Sequence, residues 1–153
     1  MAIELLKKIR LFEGLTDDEL RQVRRICQEE KTPKGTILFE EGTFGDKCYI
    51  VLTGEVRISK FIPGIGEEAL AVLKPGDYFG EMALIDDFPR SAHAIANTDV
   101  ELLTISKSEM DELLFFNKEI AYKMLWTFCR TLSARLRETN EKIAAFFAMS
   151  ARF

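Results

Sequence analysis

Imidazole side chains and paired thiols are scarce in this sequence, and their scarcity excludes several kinds of site. The chain of 153 residues has one histidine, His93. A metal-dependent oxygenase of the β-barrel type needs several imidazoles, so we expect no metal site. Three cysteines, Cys27, Cys48 and Cys129, are far apart and form no Cys-x-x-Cys pair. This pattern favours a reducing cytoplasm, with the thiols serving as small apolar packing groups.

Long hydrophobic runs are also missing. The longest one, residues 143–149, has seven residues, whereas a membrane-spanning helix needs about 20. No basic and then apolar leader precedes the first helix pattern, so we expect no secretory signal. With 47% hydrophobic residues, the chain predicts one cytoplasmic domain with a substantial core.

Negative charge is in excess, but it is unevenly distributed. The net charge is −4, and yet residues 118–153 contain seven lysines or arginines against three glutamates. A basic segment of this kind suits either the solvated face of a helix or contact with an acidic partner or nucleic acid. We favour the solvated face.

The first 30 residues carry helix signals. An apolar-rich opening predicts a helix over 3–12. Thr16, with Glu19 three residues later, is a capping box that starts a second helix. We expect this helix to end near Glu30, because Pro33 lies just ahead.

Between residues 31 and 105 the hydrophobic period shortens to that of strands. Short apolar or alternating runs are separated by Gly, Pro and Asp turns; they lie at 36–39, 49–52, 55–60, 69–73, 78–79, 92–96 and 100–105. These seven runs, without intervening helices, indicate about eight short strands and predict an antiparallel sandwich or barrel. The fold class is therefore α+β, mainly β.

Two further helices are predicted after residue 105. Ser106 and Glu109 form a second capping box, and Asn117 can end that helix and cap the next. From Lys118 a long pattern places apolar residues near one face; they are Ile120, Met124, Leu125, Phe128, Leu132, Leu136, Ile143 and Phe146. A seam of this length is typical of a helix that packs on a partner helix.

The stretch 79–92 carries the chemistry of the chain. Gly80 permits a sharp turn, and residues 81–84 suit one helical turn whose free N–H groups attract anions. Arg90 adds a charge-assisted grip on phosphate oxygens, while Glu81 can accept hydrogen bonds from a sugar hydroxyl. An anion-binding end beside a hydroxyl-binding end indicates a ribose phosphate. The alternative is an unrelated surface Glu and Arg on a strand connection.

This stretch resembles the phosphate-binding cassette of the cyclic nucleotide-binding domain family. Every fixed position of the pattern Phe-Gly-Glu-(Leu/Met)-Ala-Leu, then Pro-Arg-(Ser/Thr/Ala)-Ala, is matched. In the family the Glu binds the ribose 2′-hydroxyl and the Arg binds the cyclic phosphate, which implies these roles for Glu81 and Arg90. The resemblance extends over nearly all of 1–153 and implies a single domain. It predicts N-terminal helices over 1–30, an eight-stranded antiparallel jelly roll over 31–105, and a short and a long helix over 106–153.

The resemblance implies a set of ligand-binding residues. These are Leu70, Phe79, Gly80, Glu81, Met82, Ala83, Arg90, Ser91, Ala92, Thr139 and Asn140. The last two come from residues 134–143, which look like the dimer helix of the catabolite-activator branch of the family. There a Thr-Ser pair contacts the adenine, the second residue coming from the partner subunit, and here Asn replaces Ser. Thr139 either serves the ligand in this way or only fixes the register of a helix seam.

These expectations define a non-enzymatic regulatory module that binds cAMP in preference to cGMP. Ser91 stands where a Thr often accompanies cGMP preference in related domains. We expect a homodimer through the long helix and an effector protein that the sequence does not identify. The alternative is a fragment or truncated relative of a catabolite-activator-like transcription regulator, although the residues after 143 are too few for a helix-turn-helix domain. A domain that has lost its ligand is disfavoured by the intact Glu81 and Arg90.

Overall fold

The computed structural model describes residues 3–81, 85–86 and 88–151. The helices are α1 (Ile3–Leu6), a 3₁₀ turn (Arg10–Phe12), α2 (Asp17–Ile26), α3 (Lys107–Phe116) and α4 (Lys118–Ser150). The strands are β1 (Cys27–Thr32), β2 (Ile37–Phe39), β3 (Lys47–Thr53), β4 (Val56–Ile62), β5 (Gly66–Leu73), β6 (Tyr78–Phe79), β7 (His93–Ala96) and β8 (Val100–Ser106).

Two antiparallel sheets form the centre of the molecule. Their strand orders are β1-β8-β3-β6 and β2-β7-β4-β5, so strands distant in sequence become neighbours. Every strand pairing in the described residues is antiparallel. The predicted α+β, mainly β sandwich with helices at both ends is confirmed.

The N-terminal helices differ from the prediction in two places. The expected helix over 3–12 is divided into α1 and the 3₁₀ turn. The capping box of α2 is present, with Thr16 and Glu19 exchanging hydrogen bonds. The expected end near Glu30 is wrong, because the helix stops at Ile26 and the chain enters β1. Pairing with β8 from Cys27 to Thr32 overrides the helix signal there.

The core has two parts. Under the helices, buried side chains from α1, α2, β3, β8, α3 and α4 form one cluster that includes Leu20, Ile50 and Met124. Between the two sheets lies a second, smaller cluster around Tyr49 and Phe79. Cys48 is buried as a packing group, whereas Cys129 is exposed, so the packing role predicted for Cys129 is wrong.

The long helix α4 packs into the core through its first three turns, and Arg135 adds an ion pair to Glu81 farther along. Asn117 caps it as predicted, its Oδ1 accepting from the N–H of Ile120 at 3.1 Å. Ile120, Met124 and Phe128 are buried, whereas residues 135–151 are all exposed. None of the described helices has the length and apolar character needed to cross a bilayer.

Candidate ligand-binding site

A cavity of about 610 Å³ opens between the β2-β7-β4-β5 sheet, the segment after β6, and α4. Much of its wall is apolar, formed by Phe39, Ile58, Ala71, Leu73, Tyr78 and Phe79. Two buried charged groups, Glu81 and Arg90, also line it. A volume of this size suits a small molecule.

Arg90 provides the positive end of the cavity. It is 8% exposed. Its Nη1 and Nη2 donate to the carbonyls of Gly80 and Lys47 at 2.9 and 2.7 Å. The guanidinium also lies 4.2 Å from the centre of the Phe39 ring. These contacts fix the direction of the guanidinium, and burial lowers its pKa from the ordinary value.

One nitrogen of Arg90 has no partner in the part of the chain that the structure describes. Its Nε is buried and makes no hydrogen bond to any of the described residues, although buried polar groups normally have a partner. An arginine carries five N–H donors, and the two carbonyls do not use them all. The site therefore has unused donor capacity beside a cavity, which fits an anionic ligand.

Glycine is required at two positions around Arg90. At Gly45 an added Cβ would overlap the guanidinium of Arg90. At Gly80 the backbone φ is 75°, a left-handed value that side chains rarely adopt, and a Cβ would meet Arg90 Nη1. The two glycines leave the space in which the cation lies.

Glu81 provides the negative end. It follows β6, is 4% exposed, and its Oε1 accepts from Nη1 of Arg135 at 2.5 Å. Arg135 is half-exposed on α4 and also lines the cavity. Because a buried carboxylate without a partner is costly, the ion pair ties the long helix to this end of the site.

The sequence interpretation did not include Arg135. A signal for it existed, since Arg135 lies four residues before Thr139 and the two therefore share a face of the helix. Apart from Phe79, the apolar wall, including Phe39 and Tyr78, was not predicted either, since its residues come from separate strands.

Six of the predicted ligand-binding residues line the cavity. They are Phe79, Gly80, Glu81, Arg90, Ser91 and Ala92. Met82 and Ala83 lie outside the described residues, as does most of the predicted helical turn. Leu70, Thr139 and Asn140 are not among the lining residues.

The position of Leu70 follows from an irregularity in the sheet. Ile58 pairs with Ala71 and Ser59 with Ala69, so Leu70 is the extra residue of a bulge. Its side chain is 54% exposed. Ala71 and Leu73 of the same strand line the cavity instead.

Thr139 and Asn140 lie on the exposed part of α4. The Oγ1 of Thr139 donates to the carbonyl of Arg135 at 2.9 Å, one helical turn toward the cavity. A ligand role for either residue stays a prediction.

Taken together, the site defines a class of protein. An antiparallel roll holds a buried cation and a buried carboxylate at one largely apolar cavity. The cation can donate to a small anion, and the carboxylate can accept from a hydroxyl group of the same ligand. No cluster of His, Cys, Asp or Glu that could hold a metal occurs in the described ranges. The chain belongs to the cyclic nucleotide-binding domain family, whose family model matches residues 29–116, more than half of the chain.

Individual relatives agree with this assignment. The chain is 30% identical over 141 residues to the CRP-like cAMP-activated global transcriptional regulator of Mycobacterium tuberculosis, covering 92% of this chain and 61% of the relative. A cyclic nucleotide-binding domain from Methylobacillus flagellatus superposes with a TM-score of 0.80 at 32% identity, covering 93% and 80% of the two chains. The N-terminal domain of a transcriptional regulator from Streptomyces coelicolor gives 0.77 at 33% identity, covering 91% and 94%. The chain thus spans about three fifths of the length of the mycobacterial relative.

Proposed function

We propose that this chain is a non-enzymatic regulatory module that binds a cyclic nucleotide, cAMP in preference to cGMP. The observation that carries the proposal is the buried Nε of Arg90, which lies beside a cavity of about 610 Å³ and has no hydrogen-bond partner within residues 3–81, 85–86 and 88–151. A phosphate oxygen is an acceptor of the right charge for such a donor.

Arg90 binds the cyclic phosphate in this proposal. Phe39 and the carbonyls of Gly80 and Lys47 already hold the guanidinium in place. The ligand therefore meets a preorganised cation, and little side-chain entropy is lost on binding.

Glu81 accepts a hydrogen bond from the ribose 2′-hydroxyl. Its carboxylate is buried at the same cavity and is oriented by Arg135. A hydroxyl donor adds to this arrangement without adding charge, whereas a second anion at this end would be repelled.

The base preference rests on two residues. Ser91 lines the cavity next to Arg90, in the place where related domains often carry Thr when they prefer cGMP. Thr139 has a hydroxyl one turn beyond Arg135, where it can accept from the amino group of adenine. The mycobacterial relative is also described as cAMP-activated.

The long helix transmits ligand occupancy. Strand β6 and the residues that follow it contact α4 at successive turns. Tyr78 packs on Phe128 and donates to Oγ1 of Thr131, and Glu81 accepts from Arg135. A ligand that binds Glu81 changes the surroundings of Arg135. In this proposal α4 has two positions with different affinity for the ligand, so binding shifts the population toward one of them.

The exposed face of α4 forms a homodimer, and its end carries the signal to an effector. Leu125, Leu132, Leu136, Ile143 and Phe146 are exposed along this helix. The effector is a separate protein or another part of a longer chain. The second possibility is favoured by the close match to the N-terminal domain of a transcriptional regulator.

Calorimetric titration with cAMP, cGMP and cyclic di-GMP tests the proposal. We expect saturable binding with cAMP tightest. The Arg90→Ala variant should bind at least about thirty-fold more weakly, since losing a buried charged partner costs about 2–5 kcal/mol. Arg21→Ala is the matched control, because this substitution makes the same charge change on the exposed surface of α2, and Arg21 is not among the lining residues.

Three outcomes would contradict the proposal. If no cyclic nucleotide binds the folded protein, the ligand assignment is wrong. If Arg90→Ala binds as tightly as the control variant, the role of the arginine is wrong. Tighter binding of cGMP than of cAMP would reverse only the base preference.

A further inference from the structure

His93, the one histidine of the chain, lies beside the loop that supports Arg90. It is half-buried in β7, and its Nδ1 accepts a hydrogen bond of 3.2 Å from the backbone N–H of Glu41. The ring meets Phe61 edge-on, with 5.0 Å between ring centres. The hydrogen bond and the ring contact together fix the orientation of the imidazole.

The loop at 40–45 holds Arg90 from two directions. Gly42 N–H donates to the carbonyl of Arg90 at 2.8 Å, and Arg90 N–H donates to the carbonyl of Thr43 at 2.7 Å. Farther along the same loop, Gly45 leaves the space that the guanidinium occupies. A displacement of this loop therefore moves both the backbone and the side chain of Arg90.

The bond between His93 and the loop depends on protonation. A neutral imidazole can accept at Nδ1 when its proton is on Nε2, whereas an imidazolium donates from both nitrogens. After protonation, two N–H donors would face each other at Glu41. The hydrogen bond would then be lost, and the loop would lose one of its three hydrogen bonds to residues 90–93.

We propose that His93 is a positioning residue, which holds Arg90 for its ligand through loop 40–45, and that protonation of His93 weakens ligand binding. The inference rests on the proposed function, because it concerns affinity at the same cavity. By linkage, the ligand must in turn disfavour protonation of His93.

The charged groups around His93 do not replace the lost bond. On the loop side, the Glu41 carboxylate pairs with Lys60 of β4 at 3.2 Å. From β5, Glu67 pairs with Arg57 of β4 at 2.9 Å. Both carboxylates thus have a cation beside them, and neither supplies the acceptor that the Glu41 N–H needs.

The size of the effect follows from one hydrogen bond. A neutral hydrogen bond contributes enough for about a two- to tenfold change in a binding constant. The two backbone bonds between the loop and Arg90 are unaffected by pH in this range. We therefore expect a partial loss of affinity, not an abolition.

Two substitutions separate the role of His93 as a hydrogen-bond acceptor from the effect of its protonation. His93→Asn keeps an oxygen near the Nδ1 position and cannot become an imidazolium. His93→Phe keeps a ring that can meet Phe61 but has no acceptor. Neither residue titrates near neutral pH, where histidine is the side chain that ordinarily does.

Calorimetric titration with cAMP from about pH 8 to about pH 5.5 is the first test. Wild-type affinity should fall about two- to tenfold toward low pH. His93→Asn should stay near the high-pH wild-type value throughout. His93→Phe should be weaker by the same factor at every pH, with its fold checked by circular dichroism.

Nuclear magnetic resonance supplies a test on the unaltered protein. With a single histidine, one pair of imidazole C–H signals reports its titration directly. Adding cAMP should move the titration midpoint to lower pH.

The outcomes separate the two proposals. If wild-type protein binds no cyclic nucleotide at pH 8, the proposed function fails. If it binds but its affinity is independent of pH, or His93→Asn follows the wild-type pH profile, the role of His93 is wrong and the proposed function stands. An unchanged imidazole midpoint with bound cAMP also overturns the role of His93.

Discussion

Two side chains of opposite charge set the character of the cavity. Arg90 and Glu81 are both buried, and each is held by a group from elsewhere in the fold, the Lys47 carbonyl for Arg90 and Arg135 for Glu81. Water is largely excluded from both, so electrostatic interactions with a ligand are stronger than at the surface.

Glu81 should discriminate between ribose and deoxyribose. A ligand without the 2′-hydroxyl leaves part of a buried carboxylate unpaired, at a cost of about 1–3 kcal/mol. We expect 2′-deoxy-cAMP to bind the wild type about five- to 150-fold more weakly than cAMP. In Glu81→Ala this ratio should approach one. Titration of both nucleotides into both proteins measures it.

Glu81→Gln is the matched variant for this comparison. It keeps an acceptor but removes the negative charge that Arg135 neutralises. It should retain part of the discrimination that Glu81→Ala loses. Equal ratios in wild type and Glu81→Ala would mean that Glu81 does not bind the hydroxyl.

The residues of the site were predictable where they are local in sequence. Gly80, Glu81 and Arg90 lie within one turn and strand connection, so their spacing alone carries the chemistry. Arg135 reaches Glu81 from 54 residues away, and Phe39 comes from another strand. Such contacts depend on how the elements pack, which periodicity does not encode.

At the scale of elements, local sequence signals predicted where most helices begin and where some of them end. The caps at Thr16, Ser106 and Asn117 are found where expected, because a cap uses only neighbouring residues. The end of α2 was misplaced, since β1 exists through pairing with β8, whose partner residues lie 68 to 78 positions away. Likewise the bulge at Leu70 changes which residues of β5 face the cavity, and no turn signal marks it.

Strand β6 connects the cavity to α4. Tyr78 contacts Phe128 and Thr131, and Arg135 binds the Glu81 that follows the strand. Beyond Arg135 the helix has no buried residue. The free energy of local opening there should therefore be small and sensitive to this last contact.

Ligand binding should slow amide exchange over residues 136–150. We expect the exchange rates to fall about tenfold or more, which corresponds to the free energy of one hydrogen bond to a charged group. At saturating cAMP, Arg135→Ala should lose most of this response. Arg137→Ala should keep it, because Arg137 is exposed and its hydrogen bond among the described residues goes to Ser133 of α4 itself. Hydrogen exchange read by mass spectrometry measures all three proteins, and an equal response in the two variants would contradict transmission through Arg135.

At the scale of the whole molecule, α4 extends past the roll with apolar side chains in water. Tyr122, Cys129, Leu136 and Ile143 are spaced by seven, and Leu125, Leu132, Thr139 and Phe146 follow the same spacing three residues later. All eight are at least partly exposed. A strict heptad of this kind is typical of the seam of a left-handed coiled coil.

A second copy of the chain is the partner that best fits this seam. From Leu125 to Phe146 the helix rises about 30 Å at 1.5 Å per residue, roughly the diameter of a small domain. A symmetric pair of α4 helices would cover that length, and twofold closure is the commonest assembly. In such a pair Thr139 is the polar position within the seam, close to Arg135 of its own chain.

Light scattering after size exclusion should therefore give a mass of twice the 17.5 kDa of one chain, with and without cAMP. Leu136→Glu should give the monomer, because it places a charge at a seam position that is 62% exposed in the single chain and buried in the pair. Arg137→Glu introduces the same side chain one residue away, off the seam, and should remain dimeric. If the wild type is a monomer at every concentration, the predicted dimer is wrong. If Leu136→Glu is still dimeric, the interface lies on another face of the molecule.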